Sequence, residues 1–223
     1  MAFIIGIEGG YGQGKSITAC IKAHQWAMAS GAQLFANFPL RGAYLFDHYT
    51  DWYRIASAHG SIVLFDESQV NYDNRQWAGS GQITITKVIN YVRKMNSLFI
   101  FILPSFANID SRIRNMTDVL IRCHKSKSGT IMNYIYDFQA KQYGDYGKLI
   151  NRWVLPRSSV LKVAKLNLYN TYSMILPYQM PPMGKDKEFF EELDKRHMAA
   201  LRKYRAEHMD IQTLAKEELE HVS

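Results

Sequence analysis

Eight residues close to the N-terminus, Gly9–Ser16 (GGYGQGKS), hold four glycines and a lysine. Gly9 is followed by Gly10, Tyr11, Gly12 and Gln13, then by Gly14, Lys15 and Ser16, which fits the phosphate-binding pattern G-x-x-x-x-G-K-[ST]. Each residue type has a task. Glycines let the backbone curl so that successive N–H groups point inward at phosphate oxygens. A helix opening at Lys15 and continuing through Ile17 aims its positive end at the same oxygens. Lys15 is placed to reach the β- and γ-phosphates, and the Ser16 hydroxyl to ligate Mg²⁺. Such a site also needs a carboxylate at the end of a neighbouring strand. The run SIVLFDE (61–67) supplies two acids: Asp66 to hold the Mg²⁺ shell, and Glu67 to polarise an attacking water as general base. The ligands implied are ATP and Mg²⁺.

The surrounding elements have to present these residues. FIIGI (3–7) reads as a buried strand entering the loop, and ITACIKAHQWAMAS (17–30) as a helix with Ile17, Cys20, Ile21 and Trp26 on one face, stopped at Gly31. AQLFANF (32–38) is a second strand closed by Pro39. DHYTDWYRIASAHG (47–60) is helical, SIVLF (61–65) a buried strand, ITKVINYVRKM (85–95) helical and SLFIFIL (97–103) a buried strand. A short helix at 109–116, a strand at 118–124, a turn at KSKSG (125–129) and an alternating antiparallel partner at 130–139 follow. Strands alternating with helices predict an α/β fold with a mainly parallel central sheet and helices on both faces. An antiparallel extension follows, and then a charged helical segment with apolar Phe189, Phe190, Leu193, Met198 and Leu201. The expected division is a core over 1–140, a basic β-rich extension over 141–184 and the helical segment over 185–223.

The chain has 223 residues, 47% of them hydrophobic, enough for one sizeable core. A net charge of +7 favours a polyanionic partner. Cys20 and Cys123 are too few for a disulfide framework or a metal cluster and read as reduced core residues, as in a cytoplasmic protein. The start lacks the features of a secretory signal, and LFIFIL (98–103), the strongest apolar run, is too short to span a bilayer, so no integral membrane segment is expected. Lys141, Lys148, Arg152, Arg157, Lys162 and Lys165, interleaved with Tyr143, Tyr146 and Trp153, stand against one acid, Asp145. Two readings stay open for this stretch: phosphate contacts with DNA, or a solvated face. Arg122, His124, Lys125 and Lys127 form a second basic patch at a hairpin tip.

GGYGQGKS, then SIVLFDESQ, then YVRKMNSLFIFILPSFANIDSRIRNMTDVLIRC follow in order. Together they resemble the FtsK–HerA-type P-loop ATPases, especially viral genome-packaging ATPases and the related zonula-occludens-toxin-like phage proteins, over 3–172. LYNTYS (168–173) resembles an element that closes such cores. The resemblance implies a RecA/ASCE-like P-loop NTPase core and a homo-oligomeric ring on double-stranded DNA. It also implies an arginine given in trans to the neighbour's site, with Arg93 the first choice and Arg112 and Arg114 the alternates. Family members often end the strand after the acidic one in a glutamine sensor; here that position holds Leu103, Pro104 and Ser105. Toxin-like export proteins usually carry a membrane segment, so the leading expectation is a viral packaging motor subunit in the host cytoplasm, meeting a portal or capsid partner. Phage export and conjugative transfer are the alternatives within the class. A small-molecule kinase or a non-enzymatic nucleotide-gated adaptor are the alternatives outside it. GSGQ (79–82) matches part of a transporter-ATPase signature, but that signature precedes the acidic strand, whereas this one follows Asp66. No N-K-x-D motif for guanine is present.

Overall fold

The computed structural model describes residues 4–66, 94–109, 111–170 and 184–220. Glu67, Arg93, the GSGQ stretch, most of the helix expected at 85–95, and the end of LYNTYS lie outside the described residues.

Among the described residues, eight strands form one sheet in the order β3-β2-β4-β5-β1-β6-β7-β8. They are β1 (Ile4–Glu8), β2 (Gln33–Ala36), β3 (Tyr44–Leu45), β4 (Ser61–Asp66), β5 (Ser97–Leu103), β6 (Val119–Lys125), β7 (Ile131–Asp137) and β8 (Lys148–Leu155). Strands β1 to β6 run parallel, while β7 and β8 are antiparallel additions on the β6 side. The acidic strand β4 is separated from the loop-bearing strand β1 by β5, the arrangement of a RecA/ASCE-like P-loop fold. The helices are α1 (Lys15–Ser30), α2 (Asp51–Ala58), α3 (Ser111–Met116), α4 (Arg157–Lys165) and α5 (Asp186–Glu220).

Both faces of the central strands are apolar because both are covered. Alternation sorts the residues into two different interiors. Val63, Phe65, Phe99, Phe101 and Leu103 face one side with Trp52 and Ile55 of α2 and Phe189 and Leu193 of α5. This layer is aromatic: Trp52 stacks on Phe99 at 5.4 Å, and Phe65 on Phe101 at 5.4 Å. Ile62, Leu64, Ile100 and Ile102 face the other side, against Ala19, Cys20 and Ala23 of α1. Small residues on α1 let it lie close to the sheet that carries its own loop.

The stops have local causes. Gly31 ends α1 in the left-handed region (φ 71°), and its N–H donates to the Ala27 carbonyl at 2.8 Å. The turn after α2 places His59 at φ 38°, one residue before the expected stop at Gly60. Both cysteines are free and buried. Phe189 and Leu193 are covered by the subunit's own core, whereas Met198 stays 41% exposed. Among the described residues no helix is long and apolar enough to cross a membrane.

Candidate nucleotide site

Strand β1 delivers the chain into the loop at Gly9, and α1 takes it up at Lys15. Gly12 and Gly14 turn the backbone at φ 71° and 90°, in the region that favours glycine. A side chain at Gly9 would place its Cβ 2.6 Å from the Cys123 carbonyl oxygen of β6, so the loop lies directly on that strand. A Cβ at Gly14 would meet the Ile131 side chain. The glycines therefore serve two ends: they allow the curl, and they let the curl lie flat on the sheet.

Within this frame Lys15 Nζ donates to the Gly10 carbonyl at 2.9 Å, arching over the loop. Ser16 Oγ donates to Asp66 Oδ2 at 2.7 Å. The alternation of β4 explains this contact: Asp66 follows Ile62 and Leu64 onto the face that α1 covers. The hydroxyl and carboxylate suited to share a Mg²⁺ shell already touch, so the chain fits that cation. The loop and the dipole end of α1 fit the phosphates. Ile17 is buried behind the loop, Tyr11 is 82% exposed at its tip, and Gln13 Oε1 accepts the Lys125 N–H at 2.6 Å. A cleft of about 480 Å³ runs past Tyr11, Gly12, Gly14, Lys15, Ser16 and Asp66 to an apolar wall of Ile17, Phe38, Ile131 and Val160, with Tyr169 at its edge. Burial, reinforced by the nearby Cys20 and Asp66, pushes the Tyr169 hydroxyl up to about 12.

Three contributors escaped the motif search. Asn37 follows the last residue of β2. Its side-chain amide acts as a peptide group beyond the strand end: Oδ1 accepts the Asp66 N–H at 2.8 Å, and Nδ2 donates to the Asp66 carbonyl at 3.0 Å. Its own N–H donates to the Leu64 carbonyl at 3.1 Å, so backbone and side chain together hold the end of β4. Glu8, buried next to Gly9, accepts the Phe106 N–H at 2.9 Å and Arg122 Nε at 2.6 Å. The Phe106 ring lies where a Cβ on Gly6 would be. Thr18 Oγ1 on α1 donates to Asn133 Oδ1 on β7 at 3.0 Å. The only sequence cue to Asn37 was a polar residue just before Phe38-Pro39; Glu8 showed only as an acid ending an apolar run.

Of the other residues singled out from sequence, Lys125 joins this cleft, whereas Arg112, Arg114, Ser105 and the β8 and α4 cations lie apart from it. Arg112 and Arg114 sit on α3, where Arg114 donates to the Ala107 carbonyl at 3.0 Å. Ser105 follows β5 and lines a second cavity on the other side of the loop. Lys148 and Arg152 lie on β8, and Arg157, Lys162 and Lys165 on α4. Trp153 does not join the basic face: alternation turns it toward α1, where Lys22 Nζ sits 4.1 Å from the ring centroid.

The Zonular occludens toxin (Zot) family matches residues 39–166, more than half of the chain. The chain belongs to the Zot family. No curated protein matches it in sequence. Among solved structures, the N-terminal domain of zonular occludens toxin from Neisseria meningitidis is similar at TM-score 0.47 and 18% identity, over 61% of this chain and 84% of that one. The genome packaging NTPase B204 from Sulfolobus turreted icosahedral virus 2 is similar at TM-score 0.46 and 10% identity, over 69% and 96%. The flagellar accessory protein FlaH from Methanocaldococcus jannaschii is similar at 0.44 and 13%, over 69% and 84%. The expected likeness to Zot-like proteins is thus borne out. The Zot match begins after the phosphate loop and spans Asp66, β5, β6, β7 and β8.

Proposed function

We propose that this Zot-family chain is a Mg²⁺-dependent ATP hydrolase that moves DNA during phage assembly and export. The observation that carries the reading is the 2.7 Å contact between Ser16 Oγ and Asp66 Oδ2, which joins the phosphate loop to the acidic strand. Family membership favours assembly and export over packaging into a head. In this reading the loop amides and Lys15 hold the triphosphate, and Ser16 and Asp66 hold Mg²⁺, which supplies charge neutralisation at the phosphates. Glu67, next in the chain after Asp66, orients the attacking water. Subunits assemble as a ring, and Arg93 reaches the neighbouring site; the ring is the FtsK–HerA-type feature of the proposal.

The test is ATP turnover against ATP binding. Lys15→Ala loses both. Glu67→Gln keeps binding and loses about a hundredfold or more in turnover, the range of a general base. Mixing Glu67→Gln with Arg93→Ala restores part of the activity if the arginine acts in trans. Normal turnover in Asp66→Asn and Glu67→Gln would overturn the hydrolytic reading.

A further inference from the structure

On the face of the sheet opposite α1, a second cavity of about 640 Å³ opens beside the loop, between Gly9–Gly10 and the side chains of Arg122, Tyr134, Tyr136 and Tyr146. It shares Gly9, Gly10 and Gln13 with the phosphate loop but lies outside the cleft that runs past Lys15, Ser16 and Asp66. Its size is that of a small-ligand pocket, about 300–1,000 Å³.

The wall alternates rings and cations. Arg122, Tyr134 and Arg152 lie in one cross-strand row over β6, β7 and β8. The Arg122 guanidinium sits 3.8 Å from the Tyr146 ring centroid, and that of Arg152 lies 5.6 Å from the Tyr134 centroid. Tyr136 and Tyr146 are 6.0 Å apart. Tyr146 is 41% exposed, so part of it stays accessible beside Arg122. The acid in the cavity, Glu8, is already matched by Arg122. His124 in the cavity wall and Arg152 beside Tyr134 are exposed.

We propose that this cavity takes one unpaired base of a single-stranded nucleic acid, stacked on the tyrosines, with flanking phosphates on Arg152 and His124. Stacking on aromatic rings beside a cationic rim is tolerant of sequence, as a translocating motor requires. A duplex keeps its bases stacked inside and cannot present one to a concave pocket without unpairing it. The pocket therefore selects a single strand, where the sequence led to an expectation of duplex. Arg122 also holds Glu8, the residue before Gly9, so the strand site and the phosphate loop share one side chain.

The inference rests on DNA being what the proposed motor moves, but its test needs no hydrolysis. Fluorescence anisotropy with the full chain, without ATP or Mg²⁺, compares a labelled 20-nucleotide oligothymidylate with a duplex of the same length at one salt concentration. The single strand binds more tightly. Tyr134→Ala and Tyr146→Ala each weaken it about 5- to 100-fold, the value of one lost base stack. Tyr134→Phe and Tyr146→Phe keep the ring and stay within about twofold by the same reasoning. A strand carrying 5-bromodeoxyuridine, irradiated on the wild-type chain, cross-links to Tyr134 or Tyr146, a readout that no variant's folding can confuse. Equal or tighter binding of the duplex, unchanged binding in both alanine variants, or cross-links confined to other surfaces would overturn the proposal. Strand binding without ATP turnover would leave this site standing and sink the hydrolase; turnover without strand binding would do the reverse.

Discussion

Asn37 offers a sharp test of how Asp66 is held. Asn37→Ala deletes two hydrogen bonds, at 2.8 and 3.0 Å, that extend the sheet past the end of β2. A typical bond contributes about 1 kcal/mol net, and a backbone group left without a partner costs about 1–3 kcal/mol. Asp66 is only half-buried, so water recovers part of the loss, and the lower end of the range applies to each group. The expected destabilisation is about 2–3 kcal/mol in total. For a chain of this size that lowers the melting temperature by roughly 5–10 °C. Asn37→Asp keeps the acceptor for the Asp66 N–H but sets a second acceptor against its carbonyl, so it is no rescue. The functional readout is the Mg²⁺ concentration at half-maximal ATP turnover, which rises in both variants because a displaced β4 end moves Oδ2 away from Ser16. Urea melts and a Mg²⁺ titration check this. A loss below about 0.5 kcal/mol, the usual scatter of an inert surface substitution, together with an unchanged Mg²⁺ midpoint, would refute the positioning role.

Gly9→Ala sets a methyl group 2.6 Å from the Cys123 carbonyl oxygen, on a strand paired in register with β1. Titration calorimetry should show nucleotide binding weakened at least tenfold, because the loop must lift by about an ångström-scale shift of the kind that costs roughly 1–3 kcal/mol at strained sites. Burial pushes the Cys123 thiol up to about 12 and raises Cys20 as well. Neither thiol should react with a disulfide reagent at pH 8 until the protein is unfolded in urea. His59 and His197 are both lowered by burial, with the cations of His197 and His208 adding to the first and Lys94 to the second, against Asp194. His59 Nδ1 and His197 Nδ1 are buried with no hydrogen-bond partner among the described residues. The unfolded chain therefore takes up these protons first, and stability present above the ordinary value of 6.5 is lost as pH falls below it. Thermal melts from pH 7.5 to 5 should show that decline, and His197→Leu should flatten it; an unchanged slope would remove His197 as a cause.

The phosphate loop was legible because its chemistry demands unusual residue types at fixed spacing, and Asp66 because a polar residue ending a buried strand stands out. Strands β1, β4 and β5 were equally plain, since sheets covered on both faces need unbroken apolar runs. The strand order was not legible: nothing local in SIVLF or SLFIFIL says which neighbour each will take. Asn37 was hidden for a related reason. Its amide works by imitating a peptide group across a gap of 29 residues, and a lone asparagine before Phe38-Pro39 looks like an ordinary turn residue. Glu8 and Arg122, 114 positions apart, meet only because β1 and β6 pair in parallel register. The reading of 141–165 as one basic stretch blurred residues that alternation sends to opposite faces, with Arg152 outward and Trp153 against α1.

Strand β1 has four strands on one side and three on the other, and is hydrogen-bonded along both edges. Its amides should be among the last to exchange with deuterium, since releasing them requires opening the sheet at its middle. The loop at its end is thus suspended from a strand held along both edges in the middle of the sheet. A phosphate arriving there meets donors whose freedom was already surrendered when the sheet formed, so little ordering entropy is left to be lost on capture. The same anchorage leaves the short outer strand β3, two residues at the far margin of the sheet, as the place where an extra segment could be grafted with the least disturbance to the loop.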